Sequence, residues 1–271
     1  MKKDRCADIS VIIPCYNCSQ TIDRALSSVI NQTLTPKEII LIDDASDDDT
    51  LKALYAMEKR HPNLVSVVSL DENVGAGEAR NAGWDAASGK YLAFLDADDT
   101  WSLSKLAIQF SYMESEPSVV LSGHLCELIK DFEGDRSDAV IREVTEISKV
   151  GILIKNPFST PTVMVKRNLS IRFHKGKRYA EDFFLWQRVV FSKARVVRLE
   201  ISLAFLHKPK YGDTGLSSHL SAMEKEELNN FYELFRENYI GLFFYVVASV
   251  FSLFKYFKRT LVSILGAIVR R

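Results

Sequence analysis

Short apolar runs alternate with longer amphipathic stretches through the first hundred residues. Residues 9–14 (ISVIIP), 38–42 (EIILI), 64–70 and 91–95 (YLAFL) are too short for helices and apolar at successive positions, the pattern of strands buried on both faces. Between the first two, Ile22, Ala25, Leu26, Val29 and Ile30 recur at helical spacing after CYNCSQ, where Asn17 or Ser19 can cap. DASDDDT places carboxylates at the start of a second helix through Leu51, Leu54, Tyr55 and Glu58, where the helix dipole favours them. ENVGAGEARNAGWDAASG predicts a glycine-rich turn and a small-residue helix closed by Gly89. The order β-α-β-α-β-α-β predicts an α/β fold with a mainly parallel central sheet, right-handed crossovers and flanking helices.

Later the pattern loosens. A helix is expected over 102–115, strands over 118–129 and 139–147 around the turn KDFEGDRSD, and another strand over 162–166. Residues 179–192 (YAEDFFLWQRVVFS) read as a helix begun by acids, followed by strands at 196–199 and 201–206 and the loop HKPKYGDTGLSSH. No repeat or low-complexity linker interrupts the chain, so 1–105 and 106–215 are expected to be halves of one domain, with 216–271 a helical C-terminal segment. In that segment the polar exceptions Asn238, Gly241, Tyr245, Ser249, Ser252, Lys255, Arg259, Ser263, Gly266 and Arg270 fall at steps of three or four. They predict one narrow polar stripe on an amphipathic helix otherwise coated in Phe, Leu, Val and Ile. The 17 residues from Asn238 to Phe254 that precede Lys255 fall short of the ~20 needed to span a bilayer, so the helix is expected to lie in the membrane interface with its cations towards headgroups. Packing on the body, or on a second subunit in a homo-oligomer, is the other way to cover it.

Charge sharpens this picture. The net charge of the 271 residues is zero, yet no acid follows Glu237, while Lys255, Lys258, Arg259, Arg270 and Arg271 all do. The body is therefore net acidic, which argues against nucleic acid as a partner, and the basic tail suits an anionic membrane surface. Cys6, Cys15, Cys18 and Cys126 are too few for a disulfide scaffold, and the single CxxC has no second pair to complete a zinc site. MKKDRCADIS lacks an apolar signal core, so a chain that is not secreted is expected.

The candidate chemistry sits where strands end. Asp43 and Asp44 follow the second strand, and Asp96, Asp98 and Asp99 follow the fourth. In a parallel sheet these positions, with Pro14–Asn17 after the first strand, share the carboxyl edge where ligands bind. Carboxylates crowded there repel one another unless a cation joins them, and a hard divalent ion suits them. Helix capping by the same acids is the plainer reading.

The motifs ISVIIPCYN, EIILIDDASDDDT, ENVGAGEARNAG, YLAFLDADD and AEDFFLW, in this order over residues 9 to about 190, make the chain resemble the family 2 glycosyltransferases, nucleotide-sugar enzymes with a GT-A, Rossmann-like fold. The resemblance implies a nucleoside-diphosphate-sugar donor, UDP-sugar foremost, bound by residues 1–105, and a glycan or polyprenyl-linked oligosaccharide acceptor bound by 106–215. It implies that Asp44 holds the base, that Pro14, Tyr16 and Asn17 shape the nucleotide pocket, that Arg80 and Asn81 serve it, and that Asp96 and Ala97 lie at the ribose. Asp98 would bind Mn2+ or Mg2+ at the diphosphate, with His207 and Lys208 in reach. Asp182 would be the general base of an inverting displacement, with Glu181 positioning it or the acceptor. The expected location is cytoplasmic, on the inner face of the cell membrane. A nucleotidyltransferase and a non-catalytic nucleotide-binding membrane scaffold are the competing readings.

Overall fold

The computed structural model describes residues 6–129, 140–208 and 220–269, with side chains described to residue 260. Residues 1–5, 130–139 (with the turn KDFEGDRSD), 209–219, 270 and 271 lie outside the described residues. Strands β1 (Cys6–Cys15), β2 (Thr35–Asp43), β3 (Val65–Ser69) and β4 (Tyr91–Phe94) alternate with helices α1 (Ile22–Ile30), α2 (Thr50–Arg60) and α3 (Ala76–Ala86). All adjacent pairs in the order β3-β2-β1-β4 are parallel. A short β5 (Thr100–Trp101) and helix α4 (Lys105–Ser115) follow, then β6 (Val119–Leu128), β7 (Val144–Glu146) and α5 (Lys149–Ile154). A 3-10 turn (Thr160–Thr162), β8 (Met164–Lys166), α6 (Glu181–Phe191), β9 (Arg195–Leu206), α7 (Leu220–Arg236) and α8 (Leu242–Val269) complete the chain. The nine-stranded sheet continues β4-β8-β6-β9-β5, with β7 on β9 and β8 antiparallel to both neighbours.

Both faces of the parallel half are buried, as its apolar runs require. Ile12, Ile40, Ile42, Leu92 and Phe94 point to one side and meet α3, α6 and α7. Val11, Ile13, Ile39, Leu41, Ala93 and Leu95 point to the other and meet α1, α2 and α4. The period of two in a strand makes one run serve both layers.

Several local expectations are corrected. Neither Asn17 nor Ser19 caps α1, whose N-cap is Thr21 with no side-chain bond. Gly89 does not cap α3, whose C-cap is Ala87; a Cβ at Gly89 would lie 2.6 Å from the Ser10 amide nitrogen, so it serves close approach to β1. The helix expected from Ser102 begins at Lys105, because Thr100–Trp101 pairs with β9 first. Of the strand expected over 139–147, the described residues 140–147 supply only Val144–Glu146. The two strands expected around Glu200 are one, β9: its pairing jumps from His124↔Leu199 to Leu125↔Ser202, and this irregularity carries the polar residue that breaks the apolar pattern.

The C-terminal helix has its polarity inverted. Lys255 donates to Glu227 Oε1 at 2.9 Å and to the Ile154 carbonyl at 2.9 Å, and Arg259 donates to Glu224 Oε2 at 3.1 Å. The polar stripe, with Ser252 fully buried, therefore faces α7 and α5, and those two cations do not reach outwards. The exposed face carries Leu242, Phe243, Phe244, Val246, Val247, Val250, Phe251, Leu253, Phe254 and Phe257. Among the described residues no helix is long and apolar enough to cross a membrane.

Packing of α3 on the sheet depends on Gly83, where an added Cβ would stand 2.5 Å from Ile12 Cγ2. The β-branched Ile12 has little freedom to yield. Gly83→Ala is expected to lower stability by ~1–3 kcal/mol through overpacking, against ~1 kcal/mol of helix propensity gained, so the net effect on the urea midpoint is a decrease.

Candidate active site

The carboxyl ends of β1, β2 and β4 meet at one edge. The Asp44 N–H donates to the Cys15 carbonyl at 2.8 Å, and Leu95 N–H to the Ile12 carbonyl at 3.1 Å. The loop after β1 is stitched to that after β2: Asn17 N–H donates to Ser46 Oγ (3.1 Å), its Oδ1 accepts from Asp47 N–H (3.0 Å), and Cys18 N–H donates to Thr50 Oγ1 (2.8 Å). Pro14 stands near the end of β1, and Tyr16 beside it is half exposed at 50%. Asp44 is buried and holds the glycine-rich turn, accepting from Val74 N–H at 2.8 Å and Gly75 N–H at 2.9 Å. Burial raises its pKa, against the pull of those two bonds and of Arg178, which donates to the Asn73 side chain and carbonyl. Asp43 accepts from Ser46 N–H but keeps Oδ1 buried without a partner.

Arg80 is the centre of the site. It is buried in α3, donating through one terminal nitrogen to Asp96 Oδ1 at 2.7 Å and through the other to Glu181 Oε1 at 2.9 Å. Its guanidinium carbon lies 5.5 Å from the centre of the Phe173 ring. Close approach requires Gly77 one turn before it, since a Cβ there would sit 2.9 Å from Glu181 Cγ. Burial alone would lower the Arg80 pKa, but Asp96 and Glu181 more than offset it and hold the cation above its usual range. Burial pushes Asp96 up against the pull of Arg80, with the charge of Asp98 adding to it. Glu181 is pushed up to about 7 by burial and by the adjacent Asp182, again against Arg80. Asn81, the next residue, is engaged otherwise: its amide donates to the Phe173 carbonyl at 2.9 Å and accepts from the Phe173 N–H at 3.1 Å. Both its polar atoms fasten that segment, so the geometry gives no support to a nucleotide contact for Asn81.

Ala97 is buried between the two motif carboxylates. Asp98 pairs with Lys208 at 3.0 Å through Oδ2, and its carbonyl accepts from Arg24 at 2.8 Å. Asp99 is buried and accepts from His207 N–H at 3.4 Å; burial and the nearby Asp96 and Asp98 push its pKa up to about 8. His207 Nε2 lies 2.9 Å from Thr100 Oγ1, while Nδ1 is buried with no partner. Among the described residues no group of three or more His, Cys, Asp or Glu is arranged to hold an ion alone. The partly exposed Asp98 carboxylate nevertheless fits a Mg2+-type site, in which one or two carboxylates share the ion with substrate phosphates, while His207 Nδ1, buried without a partner, is a softer nitrogen donor.

Glu181 and Asp182 open α6 from a residue in the left-handed region, Ala180 at φ 51°. Asn230 of α7 donates to the Ala180 carbonyl at 3.1 Å and secures it. Asp182 is half-buried; Oδ1 accepts from Phe183 N–H at 2.6 Å and Oδ2 from the Thr160 hydroxyl at 3.1 Å. Three of the five non-glycine residues with positive φ among the described residues, Asn17, Ala45 and Ala180, flank this site. Such strain collects where surrounding structure over-determines a functional geometry.

The sequence model of glycosyl transferase family 2 matches residues 10–184, more than half of the chain. The chain belongs to glycosyl transferase family 2. An uncharacterized glycosyltransferase of Haemophilus influenzae is 31% identical over 202 residues, covering 69% of this chain and 61% of its own length. The UDP-Glc:alpha-D-GlcNAc-diphosphoundecaprenol beta-1,3-glucosyltransferase WfgD of Escherichia coli is 30% identical over 67% of this chain and 69% of its own. In fold, the chain matches Staphylococcus aureus TarS 1-349 in complex with UDP-GlcNAc (TM-score 0.66, 21% identity, 84% of this chain and 66% of that one). It also matches the Pyrobaculum calidifontis mannosyltransferase PcManGT in complex with GDP-Man and Mn2+ (TM-score 0.65, 18% identity, 97% and 81%). The GT-A architecture expected from the motifs is the one observed.

Three residues of this family 2 chain have site contacts that motif reading did not anticipate. Arg24 reaches the Asp98 carbonyl from α1, Arg178 faces Asp44, and Thr160 meets Asp182. Their only local signals are a polar position on a helix, a basic loop and the tripeptide TPT. A titration reports the Arg80 centre. A Glu181 pKa of about 7 in the folded state, against roughly 4.3 unfolded, means that folding takes up a proton between those values. Stability therefore falls as pH rises from ~4.5 to ~7, because the native state binds more protons there. Urea midpoints measured across that range should show a shallower fall in Glu181→Gln than in the wild type.

Proposed function

We propose that the protein is an inverting sugar transferase that moves a sugar from a nucleoside-diphosphate donor, UDP-sugar foremost, to a hydroxyl of a lipid-linked glycan. The observation that carries this reading is the Arg80 bridge, which joins the carboxylate expected at the donor ribose, Asp96, to the acidic pair expected at the acceptor. On this reading residues 1–105 bind the donor and 106–215 the acceptor. Pro14, Tyr16, Asn17 and Asp44 bound the pocket of the base, and the Asp96 oxygen not engaged by Arg80 accepts from the ribose. Asp98 and His207 Nδ1 would hold Mn2+ or Mg2+, which when bound supplies positive charge against the diphosphate leaving group. Asp182 takes the proton of the acceptor hydroxyl. The acceptor oxygen attacks the anomeric carbon while that carbon's bond to the diphosphate oxygen breaks, so configuration inverts in one displacement. Glu181, held by Arg80, keeps the acceptor side of the pocket in register with the donor.

The similarity to WfgD supports a diphosphate-lipid acceptor, since WfgD is a glucosyltransferase of alpha-D-GlcNAc-diphosphoundecaprenol. Support also comes from α8, whose outward apolar face over Leu242–Phe257 carries no acid and would lie in the interface of an anionic membrane, with exposed Lys258 towards headgroups. The inner face of the cell membrane, where nucleotide sugars are made, is the proposed working surface.

Incubation with nucleotide sugars, Mn2+ and a polyprenyl-diphosphate-linked acceptor is expected to release nucleoside diphosphate. Asp98→Ala and Asp182→Ala should each lower turnover by at least about 100-fold, the scale of general-base and charge-stabilisation losses; undiminished release in both, or release of pyrophosphate instead, overturns the assignment. Phe243→Glu with Phe254→Glu should abolish sedimentation with anionic phospholipid vesicles while leaving the thermal midpoint unchanged, because both side chains are exposed on α8. Vesicle binding equal to the wild type would refute the membrane face.

A further inference from the structure

We infer that Thr160 is a positioning residue for the general base, fixing the rotation of the Asp182 carboxylate. The inference rests on the reading of Asp182 as that base. Thr160 lies on the 3-10 turn Thr160–Thr162, far in sequence from both acidic motifs, and its hydroxyl donates to Asp182 Oδ2 at 3.1 Å. The turn is held from behind by the segment that leaves the DxD motif. Trp101 Nε1–H donates to the Pro161 carbonyl at 2.7 Å, and the Gln109 amide donates to the Thr162 carbonyl at 3.0 Å. Trp101 and Gln109 are both fully buried. At the other end of the turn, Phe94 N–H donates to the Val163 carbonyl at 3.3 Å, which ties it to β4.

The consequence concerns the softest torsion of an aspartate. The carboxylate rotation of Asp is broad, so a single hydrogen bond does not set where its lone pairs point. Phe183 N–H on Oδ1 and Thr160 O–H on Oδ2 grip both oxygens from different elements and leave their remaining lone pairs in one plane. A base held this way has its acceptor geometry prepared before substrate arrives. The pins at Phe94 and Trp101 tie that plane to β4 and β5, the strands on either side of the segment that carries Asp96 and Asp98. Donor-side and acceptor-side chemistry are thereby aligned through buried backbone carbonyls as well as through Arg80.

The test separates hydroxyl from shape. Thr160→Val keeps the side-chain shape and loses the donor, whereas Thr160→Ser keeps the donor and loses the methyl. With a UDP-sugar, Mn2+ and a polyprenyl-diphosphate acceptor, Thr160→Val is expected to lower kcat by roughly 10- to 100-fold, the worth of a hydrogen bond to a charged group. The donor KM should be unchanged, and Thr160→Ser should stay within about threefold of wild type by the same reasoning. In an Asp182→Asn background, Thr160→Val should cost nothing further, because the two residues act as one unit. Thr160→Ala replaces the valine variant if thermal unfolding shows that variant misfolded. Wild-type kcat in Thr160→Val with Asp182→Asn inactive, or a serine variant as impaired as the valine one, overturns the inference and leaves the base in place. Wild-type kcat in Asp182→Asn overturns the reading of the base itself.

Discussion

One buried guanidinium decides whether the two halves of the site exist as a unit. Arg80 and Glu181 are almost wholly removed from water, while Asp96 keeps part of its carboxylate exposed. Removing Arg80 would leave two neighbouring carboxylates without their shared cation, at a cost of ~3–5 kcal/mol. With all three present, each charge has a partner. The planar fork of arginine allows one side chain to serve two acids from different elements, which an ammonium would do with less geometric control. Carboxylates at a strand end would otherwise repel one another, and the fold answers part of that repulsion with its own cation.

Around this centre the chain accepts backbone strain where it holds the loops. Asn17 and Ala45 turn through the left-handed region beside the carboxyl edge, and Ala180 does so immediately before Glu181. Two of them are tied down by hydrogen bonds to another element or to the loop beside them: Asn17 to residues 46 and 47, Ala180 to Asn230. The α7 helix thus acts on the start of α6 from outside the sheet. Its acids also take Lys255 and Arg259 of α8 and Lys177 of the loop before α6. A tail read as peripheral is consequently connected to the residue that orients the ED pair.

The same ion pairs explain the inverted helix. Half-buried charges need partners, so the polar stripe of α8 turns to α7, and the apolar residues are left facing outwards. In water that arrangement exposes a large hydrophobic surface, which is stable only with something to cover it. The amphipathic period was legible in the sequence; which side faced the protein was not, because period reports a stripe and not its partner.

Much of the frame was set by local pattern alone. Four short apolar runs with helices between them are sufficient for a parallel α/β sheet, since a strand apolar at successive positions has to be covered on both faces. The rule that ligands meet the carboxyl edge then brings Asp44 and Asp96 together without any knowledge of the remaining chain. Tertiary structure decided what those acids touch. Asp44 grips the glycine-rich turn, Asn81 fastens Phe173, and Asp182 meets Thr160. Glu200 read as a break between strands and proved to be an irregularity within one. Pattern carries the preference of each residue for apolar or polar surroundings, but a hydrogen bond such as Arg80 to Glu181 joins positions about a hundred residues apart. Its length of a few ångströms depends on how whole elements pack, and no local periodicity records that distance.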